Sequence, residues 1–110
     1  MGYQHRELAE GKWNQLIFAE QMANVGSEVE RTISWKKKGR TDFSGRAFER
    51  ALELLDLTIA DNKNRKRLKE LLRVRELLAD FFVFDNIYQS TSESWQRYFN
   101  CFLFAVRGKR

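Results

Sequence analysis

Three short runs of basic side chains are the residues of this sequence with the clearest capacity for chemistry. The first is SWKKKGR, which comprises Trp35, Lys36, Lys37, Lys38 and Arg40. The second lies in NKNRKRLKELLR and comprises Lys63, Arg65, Lys66, Arg67, Lys69 and Arg73. The third is the tail, with Arg107, Lys109 and Arg110. A lysine and arginine surface can contact phosphates, and a neighbouring tryptophan can stack on an unpaired base. These runs predict contact with RNA or DNA.

The alternative interpretation is a charged helix surface in solvent. Lys66 and Glu70 have the spacing of an attractive pair on a helix, whereas Lys69 and Arg73 have that of a repulsive pair. The chain carries 20 Lys+Arg against 15 Asp+Glu, a formal net charge of +5. The second run also places cations at the start of a predicted helix, where they oppose the helix dipole. Use of these cations for a ligand would explain why that small penalty is accepted.

Residues suited to catalysis or metal binding are scarce. His5 is the single histidine and Cys101 the single cysteine. A nucleophilic Cys–His pair would need both, and Cys101 lies in a strongly apolar stretch typical of a core or interface thiol. The sequence lacks the E-x-x-H pairs of di-iron bundles and any metal-ligand spacing. We therefore expect a protein that is not an enzyme and holds no metal or cofactor.

Four amphipathic helices must position the basic runs. Apolar periodicity predicts them at about residues 12–38, 44–60, 65–84 and 91–107. Gly39 suits the left-handed position after helix one, and Ser90 with Glu93 has capping-box spacing before helix four. The absence of proline fits helices joined by short polar loops. We expect one all-α domain over residues 1–110, an antiparallel up-down-up-down four-helix bundle.

The apolar residues of helix three exceed the needs of one core face. Helical spacing places on that face Leu68, Leu71, Leu72, Leu78, Ala79 and Phe82. A second row is formed by Val74, Leu77 and Phe81, and Phe104 points away from the core face of helix four. Surplus apolar rows are typical of subunit contacts, so we expect these four residues to form a homo-oligomer interface. The alternative is a different rotation of the helices.

One cation, Arg75, falls at the centre of the predicted core face of helix three. A buried guanidinium needs a partner because an unpaired buried charge costs several kcal/mol. Glu28 and Asp56 are available on other helices, so we expect a buried ion pair that fixes helix register. The alternative is an anion site in a pocket, for which arginine offers a planar fork of donors.

The expected compartment is the cytoplasm. A single cysteine allows no disulfide within the chain, which favours a reducing environment. No apolar run reaches the roughly 20 residues that cross a bilayer, and the first residues do not resemble a signal peptide. We expect no contact with a membrane.

Four segments, ELAEGKWNQL, EQMANVGSEVERTISWKKKG, FERALELLDLTI and LKELLRVRELLADFF, resemble a widespread group of small uncharacterised helical proteins of bacteria and phage. In size, basicity and helix pattern the chain is also similar to the intervening-sequence ribosomal protein family. That family includes the accessory variability protein of diversity-generating retroelements. The resemblance implies a basic four-helix bundle that assembles as a pentamer and binds a reverse transcriptase and nucleic acid. The HEPN ribonucleases differ, because their R-x(4–6)-H motif needs a late histidine.

Together these observations predict a non-enzymatic, homo-oligomeric bundle that binds nucleic acid as an accessory to an enzyme such as a reverse transcriptase. The alternative is an assembly subunit or protein-interaction module in which the apolar row carries the function. A small-molecule site at Arg75 is the third interpretation.

Overall fold

The protein is described by a computed structural model over residues 11–108. Within that range it is all-α, with four α-helices. They are α1 (Phe18–Lys37), α2 (Thr41–Ala60), α3 (Leu68–Phe82) and α4 (Ser92–Arg107). Two 3-10 helices, Lys12–Gln15 and Asn62–Arg67, precede α1 and α3. α1 contacts both α2 and α4, while α3 contacts mainly α2, which fits a helical bundle.

The first and third predicted helices were too long. Ile17 adopts an extended conformation, so α1 begins at Phe18 and the residues before it form a separate 3-10 helix. The predicted start of helix three falls in the second 3-10 helix, and α3 runs only from Leu68 to Phe82. Both helix starts were predicted too early because a short 3-10 helix precedes each α-helix, and 3-10 turns are frequent at α-helix N-termini.

The residues predicted to end the first helix and to cap the fourth can be compared with the structure. Gly39 has a φ of 75° after α1, so the left-handed residue expected there is confirmed. The predicted capping box was wrong by one residue. Thr91 accepts from the Ser94 backbone N–H, and the Ser94 hydroxyl accepts from the Thr91 N–H.

The apolar stripe of α1 forms the centre of the core. Met22, Val25, Val29 and Ile33 are all buried, as the helical spacing predicts. Buried residues of the other three helices pack around this stripe: Phe48, Ala51, Leu54, Leu55, Leu71, Val74, Leu78, Trp95 and Phe99.

The predicted rotation of α3 was wrong. Val74 is buried, whereas Leu72 is 50% exposed and Leu68 is also exposed. Because α3 rests mainly on α2, it buries a narrow stripe through Leu71, Val74 and Leu78. The apolar pattern of α3 is broad enough to allow either rotation, and contact with α2 selects one.

A buried polar network ties the two 3-10 helices to the bundle. The Trp13 indole N–H donates to the Thr58 hydroxyl at 2.9 Å. The Gln21 amide donates to Asp61 at 2.9 Å, and the Asn64 amide donates to Gln21 at 2.8 Å. These bonds satisfy polar groups that would otherwise be costly to bury.

The helices of the described region do not combine the length and apolar character that a bilayer crossing demands.

Candidate nucleic-acid interface

A pair of stacked aromatic rings lies where α1 is joined to α2. Trp35 and Phe43 have ring centroids 4.8 Å apart and planes inclined by 30°. The Lys38 ammonium lies 5.1 Å from the Trp35 ring centroid, and the Arg40 guanidinium lies 4.3 Å from that of Phe43. Arg46, one turn into α2, lies 5.5 Å from Phe43. The aromatic pair thus gathers cations from both helices at one end of the bundle.

Two more lysines belong to this surface. The Lys36 ammonium lies 5.8 Å from the Phe81 ring and 5.7 Å from the Phe82 ring of α3. Lys37 is exposed and has no carboxylate within ion-pair distance among residues 11–108. We call the whole group the Trp35 patch: Trp35, Lys36, Lys37, Lys38, Arg40, Phe43 and Arg46.

The Trp35 patch holds one nearby acid, Asp42, which lies 3.6 Å from Arg40. A backbone hydrogen bond from Phe43, with Arg40 beside it, holds the pKa of Asp42 below its usual range. Asp42 therefore stays ionised and offsets part of the positive charge of Arg40. Residues 34–46 contain five Lys or Arg residues and this one carboxylate, so the patch keeps a positive excess.

Most of the second basic run, from Lys63 to Arg67, lies on a 3-10 helix, and only Lys69 and Arg73 lie on α3. Asp61 accepts from the Lys63 backbone N–H at 3.1 Å and also bonds the Lys63 ammonium. Burial raises the pKa of Asp61, but hydrogen bonds from Lys63 and Gln21 outweigh it and hold that pKa below the usual range. The predicted dipole penalty is accordingly smaller, since only Lys69 of the run's cations lies in the first turn of α3, next to Glu70.

The cations of this run differ in their surroundings. Arg67 lies 4.3 Å from the Phe18 ring and 3.9 Å from Glu70. Arg65, Lys66 and Lys69 are exposed and, among the described residues, have no ion-pair partner. We call this group the 3-10 patch: Lys63, Arg65, Lys66, Arg67 and Lys69. Arg73 lies apart from it, with its guanidinium 5.5 Å from the Tyr88 ring.

The two patches lie at opposite ends of the bundle. The 3-10 patch adjoins Gln21 near the start of α1, and the Trp35 patch surrounds its last turn. α1 has 20 residues, a length of about 30 Å at 1.5 Å per residue. The structure therefore does not join the predicted nucleic-acid residues into one surface.

The predicted buried ion pair was half right. Arg75 pairs with Asp56 at 2.7 Å, but their side chains are 41% and 52% exposed. The hydrogen bond that Arg75 donates to the Asp56 carboxylate raises the pKa of the guanidinium. Arg75 reaches the surface because α3 is rotated relative to the prediction, and so it lines no core pocket. Such an exposed pair contributes little stability.

Glu28 takes part in a different ion cluster. Its carboxylate is buried and accepts from Arg50 of α2 at 2.9 Å and from Arg31 of α1 at 2.8 Å. This cluster links α1 to α2, which is the register role that the sequence analysis gave to Arg75. A helix wheel cannot reveal it, because Arg50 comes from another helix.

The predicted oligomer row was also placed wrongly. Val74 is buried, and Leu77 and Phe81 are half-buried against the core, so they cannot form an outward row. Phe104 is exposed, as expected. The apolar surface missed by sequence reasoning lies after α3, where Val83, Phe84 and Ile87 are exposed. The available signal was Ile87 in the predicted break, which directly follows Val83 and Phe84 at the end of the predicted third helix.

The remaining candidates add no catalytic cluster. Cys101 is exposed, with its thiol 3.5 Å from the Arg97 carbonyl oxygen, and is not a core thiol. In the part of the chain that the structure describes, no group of His, Cys, Asp and Glu could hold a metal ion. His5, Lys109 and Arg110 lie outside the described residues. Comparison with protein-family models, curated proteins and solved structures gave no match.

Proposed function

We propose that this protein is a non-enzymatic, homo-oligomeric helical bundle that binds RNA or DNA through the Trp35 patch. The observation that carries the proposal is the positive excess of that patch, which has five cations and one carboxylate over residues 34–46. Cations gathered at one surface neutralise phosphates and release counterions, which drives binding without any catalytic group. The resemblance to retroelement accessory proteins suggests an enzyme partner such as a reverse transcriptase, which would co-purify with the chain.

The packing around Trp35 favours phosphate contact over base stacking. The Phe43 ring and the Lys38 ammonium both lie against the indole, so a base could stack there only after Lys38 moved. Lys37 and Lys38 extend from the last turn of α1 and from its cap into solvent. Binding through such groups depends on the charge of the nucleic-acid backbone and discriminates little between base sequences.

The test is a salt titration of binding to a short single-stranded RNA and to a duplex DNA, followed by fluorescence anisotropy. The variant Lys37→Glu with Lys38→Glu lowers the formal net charge by 4, from +5 to +1. If two phosphate contacts are lost, the slope of log affinity against log salt should fall by about 1.4 for the single strand.

A matched variant separates local contact from overall charge. Arg65→Glu with Lys66→Glu also lowers the net charge by 4, but in the 3-10 patch. We expect it to weaken binding less than the Trp35-patch variant at equal helix content. Equal affinity in the wild type and both variants would refute nucleic-acid binding through these cations. A larger loss in the second variant would move the interface to the 3-10 patch.

The second candidate is an assembly subunit without direct nucleic-acid contact. Exposure of Phe84 (70%) and Ile87 (72%) favours it, because a small monomer rarely displays such residues side by side. A particle mass of several subunits, with no binding to either nucleic acid at low salt, would select this candidate.

We extend the proposal to an antiparallel up-down-up-down order of the helices. Contacts of α1 with α4 pair residues of opposite sequence order, such as Glu30 with Gln96 and Phe18 with Phe102. A nuclear Overhauser contact between the Phe18 and Phe102 rings would be missing in a parallel arrangement. The proposed cytoplasmic setting fits the exposed Cys101 thiol, and cell fractionation tests it.

A further inference from the structure

The chain between α3 and α4 exposes a group of apolar side chains. Val83, Phe84 and Ile87 are 60%, 70% and 72% exposed, and Tyr88 is also exposed. We call residues 83–88 the apolar loop. Exposed Leu and Phe residues are common singly, but a cluster on one short segment is typical of a contact surface.

The apolar loop is held in a fixed shape by Asp80 of α3. This buried carboxylate accepts from the Ile87 N–H at 3.0 Å and from the Tyr88 N–H at 3.1 Å. The Asp80 carbonyl accepts from the Asn86 N–H at 3.0 Å, and Asn86 itself has a φ of 54°. A loop whose backbone is already ordered loses little conformational entropy when it binds.

A concave groove lies between α1 and α4, whereas the apolar loop is an exposed surface. The volume of the groove is about 530 Å³. Ala23 and Gly26 of α1 and Phe99 and Leu103 of α4 give it apolar walls, and Ser27 stands at its edge. Such a volume is in the range that accommodates several buried side chains.

Trp95, which lines this groove, has an unsatisfied donor. The side chain is 5% exposed, and among residues 11–108 its Nε1 is the one buried side-chain polar atom without a hydrogen-bond partner. A buried N–H without an acceptor costs about 1–3 kcal/mol. An oxygen acceptor that reached this donor would remove that cost, but the side chains over Nε1 would have to move, because the atom has almost no accessible surface.

We propose that the apolar loop of one copy of this chain docks in the α1–α4 groove of a second copy. The loop offers apolar side chains for the groove walls, and Asp85 together with the loop carbonyls offers acceptors. Asp85 is exposed and makes no ion pair in the described region. This inference rests on the self-association proposed above and names its surfaces.

A cation at the edge of the groove also favours the apolar loop as the occupant of the groove. Arg31 lines the groove and uses one nitrogen for Glu28, which leaves other guanidinium donors for the Asp85 carboxylate. Glu30 also lines the groove, where the Gln96 amide donates to it at 3.1 Å. The anionic loop tip thus meets one cation and one acid that is already hydrogen-bonded.

The loop and the groove are different surfaces, and they can pair in two ways. In a two-fold dimer the exchange is reciprocal, with the loop of each copy in the groove of the other. A contact made in one direction is head-to-tail, and its repetition gives a closed ring or an open chain. The assembly should therefore contain two or more subunits.

The experiment uses two double variants of the full chain with equal charge change. Phe84→Asp with Ile87→Asp removes the apolar loop tip, and Ser27→Glu with Asn100→Glu obstructs the groove with exposed positions only. Light scattering should find two or more subunits for the wild type and one for each variant alone. An equal mixture of the two variants should give two subunits, because one intact loop meets one intact groove.

A third variant controls for lost apolar surface and added charge. Leu68→Asp with Leu72→Asp alters exposed residues of α3 that lie in neither surface, so its assembly should match the wild type. Circular dichroism checks that all variants keep their helix content. A wild-type monomer would refute the proposed self-association itself. A mixture that stays monomeric, or loop and groove variants that still assemble, would overturn only the docking inference.

Discussion

The same substitution at two helical glycines should stabilise the protein at one site only. Gly26 faces α4, and an added Cβ there would lie 2.7 Å from the Phe99 Cβ and 2.9 Å from its Cγ. Gly45 of α2 is exposed, and a Cβ there would meet nothing within 4 Å. The proposed changes are Gly26→Ala and Gly45→Ala, each measured singly.

The magnitudes follow from two terms. Alanine gains about 0.8–1.0 kcal/mol over glycine inside a helix, and this term is shared by both sites. At Gly26 the new atom sits roughly 1 Å inside the usual carbon contact distance of about 3.5–4.0 Å. Because the obstructing atoms include the Phe99 Cβ, the helix α4 itself must shift, and such overpacking costs about 1–3 kcal/mol. Gly26→Ala should therefore end about 1–3 kcal/mol less stable than Gly45→Ala.

The assay is urea denaturation followed by circular dichroism, at one protein concentration because self-association would change apparent stability. Gly45→Ala should raise the free energy of unfolding by about 0.8–1.0 kcal/mol relative to the wild type. Gly26→Ala should leave it unchanged or lower it by up to about 2 kcal/mol, with an unaltered denaturant slope. If both variants are stabilised equally, the close approach of α1 and α4 at Gly26 is wrong.

Three further expectations address the polar and ionic contacts. Trp13→Phe should be about 1 kcal/mol more destabilising than Trp95→Phe, because only the first indole donates a hydrogen bond; urea titrations of both would compare them. Arg50→Met should lower the free energy of unfolding by about 1.5–3 kcal/mol since it bonds a buried carboxylate, whereas Arg75→Met should lower it by less than about 1 kcal/mol. Asp61 has a lowered pKa, so its contribution is present above about pH 4 and is lost as pH falls through the folded-state pKa. Asp61→Asn should remove that part of the acid dependence in thermal melts from pH 5 to 2, and an unchanged profile would contradict the assignment.

The helices themselves could be predicted because their signals are local. The stripe Met22, Val25, Val29 and Ile33 repeats at helical spacing, and each of its members is buried. Gly39 marks a helix end because a left-handed residue is cheapest for glycine, and this needs no knowledge of other helices. The boundaries were predicted less well, because short 3-10 helices precede α1 and α3 and were assigned to them.

The sequence could predict which residues belong to the candidate site, but not where they lie relative to one another. The sequence shows that basic residues are clustered, but not that the Trp35 patch and the 3-10 patch lie toward opposite ends of α1, a helix about 30 Å long. It also could not show that Phe43 stacks on Trp35, because that contact joins two helices across their connection. The apolar loop was missed since its shape depends on Asp80, which lies in the last turn of α3.

The sequence by itself determined the helical content, the apolar stripe of α1 and the positive charge of this protein. Periodicity, glycine placement and composition act within a few residues, so they need no fold to be interpreted. Only the tertiary structure decided the rotation of α3, the surface position of Arg75 and the link between Glu28 and Arg50. These depend on which helix lies beside which, because a broad apolar face can be buried in more than one rotation and a charge takes the partner that its neighbour presents.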